Sequence, residues 1–119
     1  MSEQPLDRLR YICMALPEAV EDTEGVGSPA YKVNAKIFAM HHPMNDRPSL
    51  WCKAQKGFQE VIVANEPERF FVPPYVGQHG WIGIYLDVEL DWDLIADFIE
   101  DSYRMSAPKR LIKLLPIRS

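Results

Sequence analysis

Three short runs between residues 30 and 54 constrain the fold of this chain more than any other feature. Ala30 to Val33, Lys36 to His41 and Ser49 to Ala54 are each rich in aromatic and aliphatic residues and are bounded by turn-forming segments. Only Asn34-Ala35 separates the first two, and the polar loop from Pro43 to Pro48 separates the second from the third. A two-residue break has hairpin length, and Asn tolerates positive φ there, although Ala at the second position is not the favoured Gly. The pattern predicts an antiparallel meander. Trp81 to Leu86 reads as a further strand, while Arg69 to Val72 runs into Pro73-Pro74 and fits only an edge or a turn, because proline cannot donate to a ladder.

Helical spacing dominates both ends. Leu6, Leu9, Ile12, Cys13 and Leu16 recur on one face, with Ser2 available as a cap, Pro5 tolerated in the first turn and Pro17 as a stop. Asp91 offers a cap for a second helix, in which Trp92, Ile95, Phe98, Ile99, Ser102 and Tyr103 line one side and Asp93, Asp97, Glu100, Asp101 and Arg104 the other. Pro108 opens a last short helix carrying Leu111, Ile112, Leu114 and Leu115, and Pro116 closes it. Between these ends, Ala19 to Gly27 reads as a short extended piece and a turn. Phe58, Val61, Ile62 and Ala64 read as a short helix, with a strand as the alternative because Val61 to Val63 are β-branched. Helices at both ends of a meander give an α+β domain, a single antiparallel sheet covered by the N- and C-terminal helices.

Length and composition agree with one domain over residues 1–119, since a domain takes about 100 to 200 residues. Apolar residues make up 47% and charged residues 25%, which suits a packed core and excludes a disordered or fibrous chain. No apolar run approaches the roughly 18 residues of a membrane span, and Met1 to Arg10 is too polar for a secretory leader. A soluble cytoplasmic protein, without membrane association, is expected. No heptad seam is visible, so the chain is expected to be a monomer or a weak oligomer. Charge is uneven: through Tyr103 eight Lys and Arg face seventeen Asp and Glu, whereas the remainder carries five cations and no acid. A basic end of this kind either binds anions or is simply a solvated face.

Enzyme signatures are missing. There is no GxSxG, P-loop or GxGxxG, and Gly25-Val26-Gly27 is too short to cradle a phosphate. His41 and His42 point to opposite faces of a regular strand and cannot chelate one ion together, and His79 adds no recognised ligand spacing. Asp87, Glu89, Asp91 and Asp93 lack the central Gly and late Glu of a calcium loop, and helix capping accounts for Asp91. Cys13 and Cys52 are too far apart for a CxxC site and read as reduced; Cys52, among strand residues with Lys53 and His41 nearby, reads as a buried structural cysteine, with a nucleophilic thiol as the alternative. No catalytic residue, metal or cofactor is therefore assigned, and a binding role is favoured over catalysis.

The most individual segment runs from Arg69 to Tyr85. Within it Pro73 and Pro74 fix the backbone, Gly77 and Gly80 permit tight geometry, and Tyr75, His79 and Trp81 offer amphipathic side chains. Such a loop is either a rigid element packing its aromatics inward or a ligand site.

The segment Pro73-Pro-Tyr-Val-Gly-Gln-His-Gly-Trp81, followed by Leu90-Asp-Trp-Asp-Leu94 and Ser102-Tyr103, resembles the MmcQ/YjbR family of small bacterial proteins. Cys13-Met-Ala-Leu-Pro-Glu-Ala-Val-Glu21, Lys36-Ile-Phe-Ala-Met40 and Ser49-Leu-Trp-Cys-Lys53 extend the resemblance over nearly the whole chain. The resemblance implies a frataxin-like, double-wing α+β domain and a role in DNA binding, and it supplies no catalytic residues. On that reading Lys32, Lys36 and Lys53, with Arg104, Lys109, Arg110 and Lys113 near the C-terminus, would contact phosphate. The rival readings are a protein-interaction module or a small-molecule site built on the loop residues Pro74, Tyr75, Gly77, His79 and Trp81, and a pI of about 5.3 suits a protein partner at least as well as DNA.

Overall fold

A computed structural model describes residues 4–24 and 29–116. The elements run α1 (Pro5–Met14), β1 (Val20–Asp22), β2 (Ala30–Val33), β3 (Lys36–His41), β4 (Ser49–Cys52), α2 (Phe58–Asn65), β5 (Phe70–Phe71), a 3₁₀ turn (Gly77–His79), β6 (Ile82–Tyr85), α3 (Trp92–Ser106) and α4 (Lys109–Ile112). The six strands form one antiparallel sheet in the order β1-β2-β3-β4-β6-β5. This is the α+β architecture expected from the sequence.

Local chemistry explains the elements. Asn34 and Ala35 both adopt positive φ, 51° and 65°, as the tightest hairpin turn requires. The β2–β3 ladder then shifts register between Tyr31 and Lys32, and Phe38 and Ala39 are both fully buried next to that irregularity. Asp91 caps α3 by accepting from the Leu94 N–H at 3.2 Å. The Ser2 cap lies outside the described residues, and α1 instead starts from Gln4 in extended conformation with Pro5 in the first turn.

Strand ends differ from expectation where side chains divert the backbone. The strand expected over Ser49 to Ala54 stops at Cys52, because the Lys53 N–H donates to Ser102 Oγ at 2.9 Å rather than to a neighbouring strand. The strand expected from Trp81 starts at Ile82, after Gly80 in left-handed conformation, and ends at Tyr85. The extended piece after Ala19 is an edge strand, with Val20 opposite Lys32 and Asp22 opposite Ala30. The ambiguous stretch at Phe58 is helical.

One face of the sheet carries the main core. Tyr31, Phe38, Leu50, Cys52, Ile82 and Ile84 pack there against Leu9 and Cys13 of α1, Ile95, Phe98, Ile99 and Tyr103 of α3, and Leu111 of α4. Phe38 and Tyr103 meet edge to face at 5.4 Å between ring centroids. Tyr103 also donates to the Pro17 carbonyl at 2.7 Å, tying α3 to the segment after α1. The opposite face is not bare: Ala30, Met40, Trp51 and Trp81 form a second buried cluster, against which Ile37, Met44, Phe71 and Val76 are partly buried.

Candidate functional site

The second face is built from strand alternation. Ala30, Met40, Trp51, Gly83 and Phe71 are successive register partners across β2, β3, β4, β6 and β5, so they form one row on the same face, in which glycine leaves a gap at position 83. His42 stacks on Trp51 at 4.3 Å, Trp51 meets Phe71 edge-on at 6.5 Å, and Phe71 lies against Tyr85 at 4.7 Å. The Trp51 indole N–H donates to Ser49 Oγ, and Ser49 donates in turn to the His42 carbonyl, so the polar edge of the indole is satisfied inside the cluster. At the end of the row the Arg47 guanidinium sits 3.6 Å over the Tyr85 ring and pairs with both oxygens of Asp87 at 2.7 and 2.8 Å. The tight turn at Asn45 and Asp46, both at positive φ, places Arg47 there, and Asn45 donates to the Tyr85 hydroxyl.

The loop from Pro73 to Trp81 departs from this face. Pro73 is fully buried. The Val76 N–H donates to the Pro74 carbonyl at 2.7 Å around Tyr75, whose φ is 66°, and the Gly77 N–H returns to the Pro73 carbonyl at 3.0 Å. Positive φ combined with a hydrogen bond spanning one residue is the strained form of γ-turn, uncommon for any side-chain-bearing residue. A Cβ at Gly77 would fall 2.5 Å from Val72 Cγ1, so glycine is needed for close approach. From the other side Gln59 of α2, itself buried, donates through Nε2 to the carbonyls of Gly77 at 2.8 Å and Trp81 at 2.6 Å. The loop is therefore fixed at three points.

Its side chains divide sharply. Trp81 is buried in the second cluster, whereas Tyr75 is 87% exposed and the neighbouring Val72 49%. Pro74 and His79 are also exposed and Gly77 is buried. An open groove of about 630 Å³ runs between the start of α2 and the 3₁₀ turn, lined in part by Lys56, Gln59, Gln78 and His79. Of the loop residues singled out in the sequence, Gly77 and His79 line this groove, Trp81 is buried in the second cluster, and Pro74 and Tyr75 are exposed.

The candidate phosphate contacts are dispersed and largely engaged. Lys32 pairs with Asp22 at 2.9 Å, Arg104 with Glu100 at 3.2 Å, and Arg110 binds both carboxylate oxygens of Glu18. The Lys53 amine donates to Ser106 Oγ at 2.8 Å, and burial, with Lys36 nearby, lowers its pKa. Lys36, Lys109 and Lys113 are exposed. Among the described residues no group of three or more His, Cys, Asp or Glu is placed to hold a metal ion. Both thiols are buried, and burial pushes that of Cys52 up to about 12, which suits a packing role rather than a nucleophile.

Sequence reasoning missed Gln59, Arg47 and the second cluster itself. Gln59 carries no motif, since its partners are backbone carbonyls whose position depends on the folded loop. The second cluster did leave a signal: Met40, Trp51 and Phe71 occupy alternate positions opposite the main-core residues, the pattern of strands buried on both faces.

A single antiparallel sheet with helices on one face and a proline-glycine loop locked onto the other defines a small α+β domain. The family model described as YjbR matches residues 14–105. The chain belongs to the YjbR family. Its fold is similar to the crystal structure of Deinococcus radiodurans protein DR2400, whose family-model domain is DUF419. The TM-score is 0.74 at 20% identity, over 86% of this chain and 78% of that one. No curated protein gives a significant match. Among the described residues no helix is long and apolar enough to cross a membrane.

Proposed function

We propose that this YjbR-family domain is a protein-recognition module whose anchor is Tyr75. The observation that carries the reading is the combination at this one residue of near-complete exposure and a strained backbone. A tyrosine gains nothing for the fold in that position, and a strained, solvent-facing aromatic on an otherwise rigid loop is what a preorganised interface supplies. Tyr is enriched among residues that dominate binding energy, because it brings a large amphipathic surface with few rotors to freeze. Pro73, Pro74 and the Gln59 hydrogen bonds hold the tip in place, so little ordering is left to the binding step.

A second reading, contact with duplex DNA, follows from the family resemblance and from exposed Lys36, Lys109 and Lys113. It is supported less well, because four of the seven candidate contacts already hold a protein partner. Affinity purification from nuclease-treated lysate separates the two. A protein retained by the wild type and lost with Tyr75→Ala supports the recognition module. Binding that vanishes on nuclease treatment, survives Tyr75→Ala and falls when Lys36, Lys109 and Lys113 are neutralised supports DNA, with the steep salt dependence of phosphate contacts.

A further inference from the structure

The polar groove of about 630 Å³ between the start of α2 and the 3₁₀ turn leaves hydrogen-bonding groups of both kinds unused. Gly57, the N-cap of α2 at φ 86°, has no side chain to close the helix, and no side-chain cap is formed. The Phe58 N–H donates to the Gln55 carbonyl at 3.0 Å, whereas among the described residues the N–H groups of Gln59 and Glu60 have no acceptor. Lys56 lines the same end of the groove, is exposed, and is in no ion pair among the described residues. Uncapped N–H groups, the helix dipole and one cation together attract an anion.

The Gln59 side chain points to a ligand independently. It lines the groove yet is only 8% exposed. Both Nε2 hydrogens are spent on the carbonyls of Gly77 and Trp81, which also fixes which end of the amide is oxygen. Oε1 accepts from no group among the described residues, although no fully buried side-chain nitrogen or oxygen among them lacks a partner. Oε1 is therefore within reach of solvent, and the groove that Gln59 lines is where it opens. Such an oxygen is ready for a donor from outside the fold.

We infer that this groove binds the C-terminal residue of a peptide, with its α-carboxylate on the Gln59 and Glu60 N–H groups beside Lys56 and its own amide N–H on Gln59 Oε1. Donor and acceptor both belong to Gln59, so the ligand must carry its acceptor and its donor within a few bonds of each other. The carboxylate and N–H of a terminal residue do so. An anion that only accepts, such as sulfate, leaves Oε1 unmet. Glu60, the one carboxylate lining the groove, places a like charge there that penalises a dianion more than a monoanion. Capture of a terminal carboxylate by backbone N–H groups is a recurring mode of peptide recognition. The site does not use Tyr75 and stands whether or not that residue anchors a partner.

The probe is acetyl-dialanine with a free carboxylate, titrated to about 10 mM into the full chain and followed by two-dimensional NMR. The Gln59 and Glu60 amide protons should move downfield as they gain an acceptor, and the Gln59 side-chain amide should shift with them. The C-terminal amide of the same peptide should bind roughly tenfold more weakly, the range for losing a hydrogen bond to a charged group, and the peptide N-methylated at its last residue roughly threefold more weakly. Lys56→Gln, an exposed change, should weaken binding roughly two- to fivefold, whereas Tyr75→Ala should leave it unchanged. Comparing a hexapeptide with acetylalanine separates two sources of the same chemistry. Tighter binding of the hexapeptide assigns the site to the tail of a partner chain, equal binding assigns it to a free acylated amino acid, and either supports the inference. Equal binding of the amidated peptide, the N-methylated peptide or acetate overturns it, as does the absence of shifts at Gln59 and Glu60. Binding lost with Tyr75→Ala but kept with Lys56→Gln would place the contact at the loop tip and overturn it as well.

Discussion

Phe71 occupies the space that a side chain on Gly83 would fill. The two are register partners across β5 and β6, and a Cβ on Gly83 would fall 2.2 Å from the Phe71 ring carbon Cζ. Gly83→Ala must therefore displace a ring that also touches Tyr85 and Trp51. Overpacking of this kind should destabilise the protein by about 1 to 3 kcal/mol, read from urea unfolding. The penalty should largely disappear when Gly83→Ala is introduced into a Phe71→Ala background. A cost that persists there would place the strain in the backbone instead of the ring.

Trp81→Ala should be among the most disruptive single changes. The indole belongs to the cluster with Ala30, Met40 and Trp51, and the Trp81 carbonyl helps to hold Gln59. Removing a buried Trp side chain costs about 3 to 5 kcal/mol. Thermal unfolding should show the loss directly, and a variant with near wild-type stability would mean that the second cluster does not depend on this ring.

Tyr75→Gly should act in the opposite sense. Glycine adopts positive φ without strain, while it adds disorder to the unfolded chain by about 0.5 to 1 kcal/mol. The two effects oppose one another at an exposed position, so the melting temperature should stay level or rise, whereas glycine normally lowers it. Any Tyr75-dependent binding should be lost in the same variant. A marked drop in stability would show that the ring supports the fold.

Alkaline pH should destabilise the core. Burial first, then the neighbouring Cys52 and Glu21, pushes the Cys13 thiol well above its ordinary range; burial and Asp101 push Cys52 up to about 12. A raised acid keeps its proton in the folded state after the unfolded chain has lost it. The stabilisation is thus complete below the ordinary thiol value and is lost as pH rises from about 8.5 through the folded-state values. Urea midpoints measured across that range should fall, and Cys52→Ala should flatten part of the decline. An unchanged slope in that variant would assign the decline to other groups, of which Tyr31 and Tyr103, both raised by burial, are the first to test.

What the sequence revealed divides by range of interaction. The bounds of β2 and β3 were legible because hairpin length, positive-φ tolerance at Asn34 and apolar runs are local properties. α3 was legible because its apolar stripe and its Asp91 cap are written in consecutive turns, although it continues two residues past Arg104 to Ser106. Strand ends were less legible. Lys53 leaves the ladder because Ser102, distant in sequence, offers an oxygen, and Trp81 is held outside the strand by Gln59. The loop could be identified as unusual from its prolines and glycines, but which aromatic faced inward depended on whether the second sheet face was covered. The basic residues looked like one C-terminal patch until the fold brought Glu18 to Arg110.

The two outer strands of the sheet are unusually short, three residues in β1 and two in β5. β1 carries Glu21 and Asp22, and β5 is followed within two residues by the Pro73-Pro74 pair, which cannot donate a ladder hydrogen bond. Neither border therefore offers a long, flat, uncharged template onto which another chain could add. For a protein with aromatic rows on its sheet, that brevity is a safeguard against fibril growth: such growth would have to begin by melting the borders and exposing the central strands.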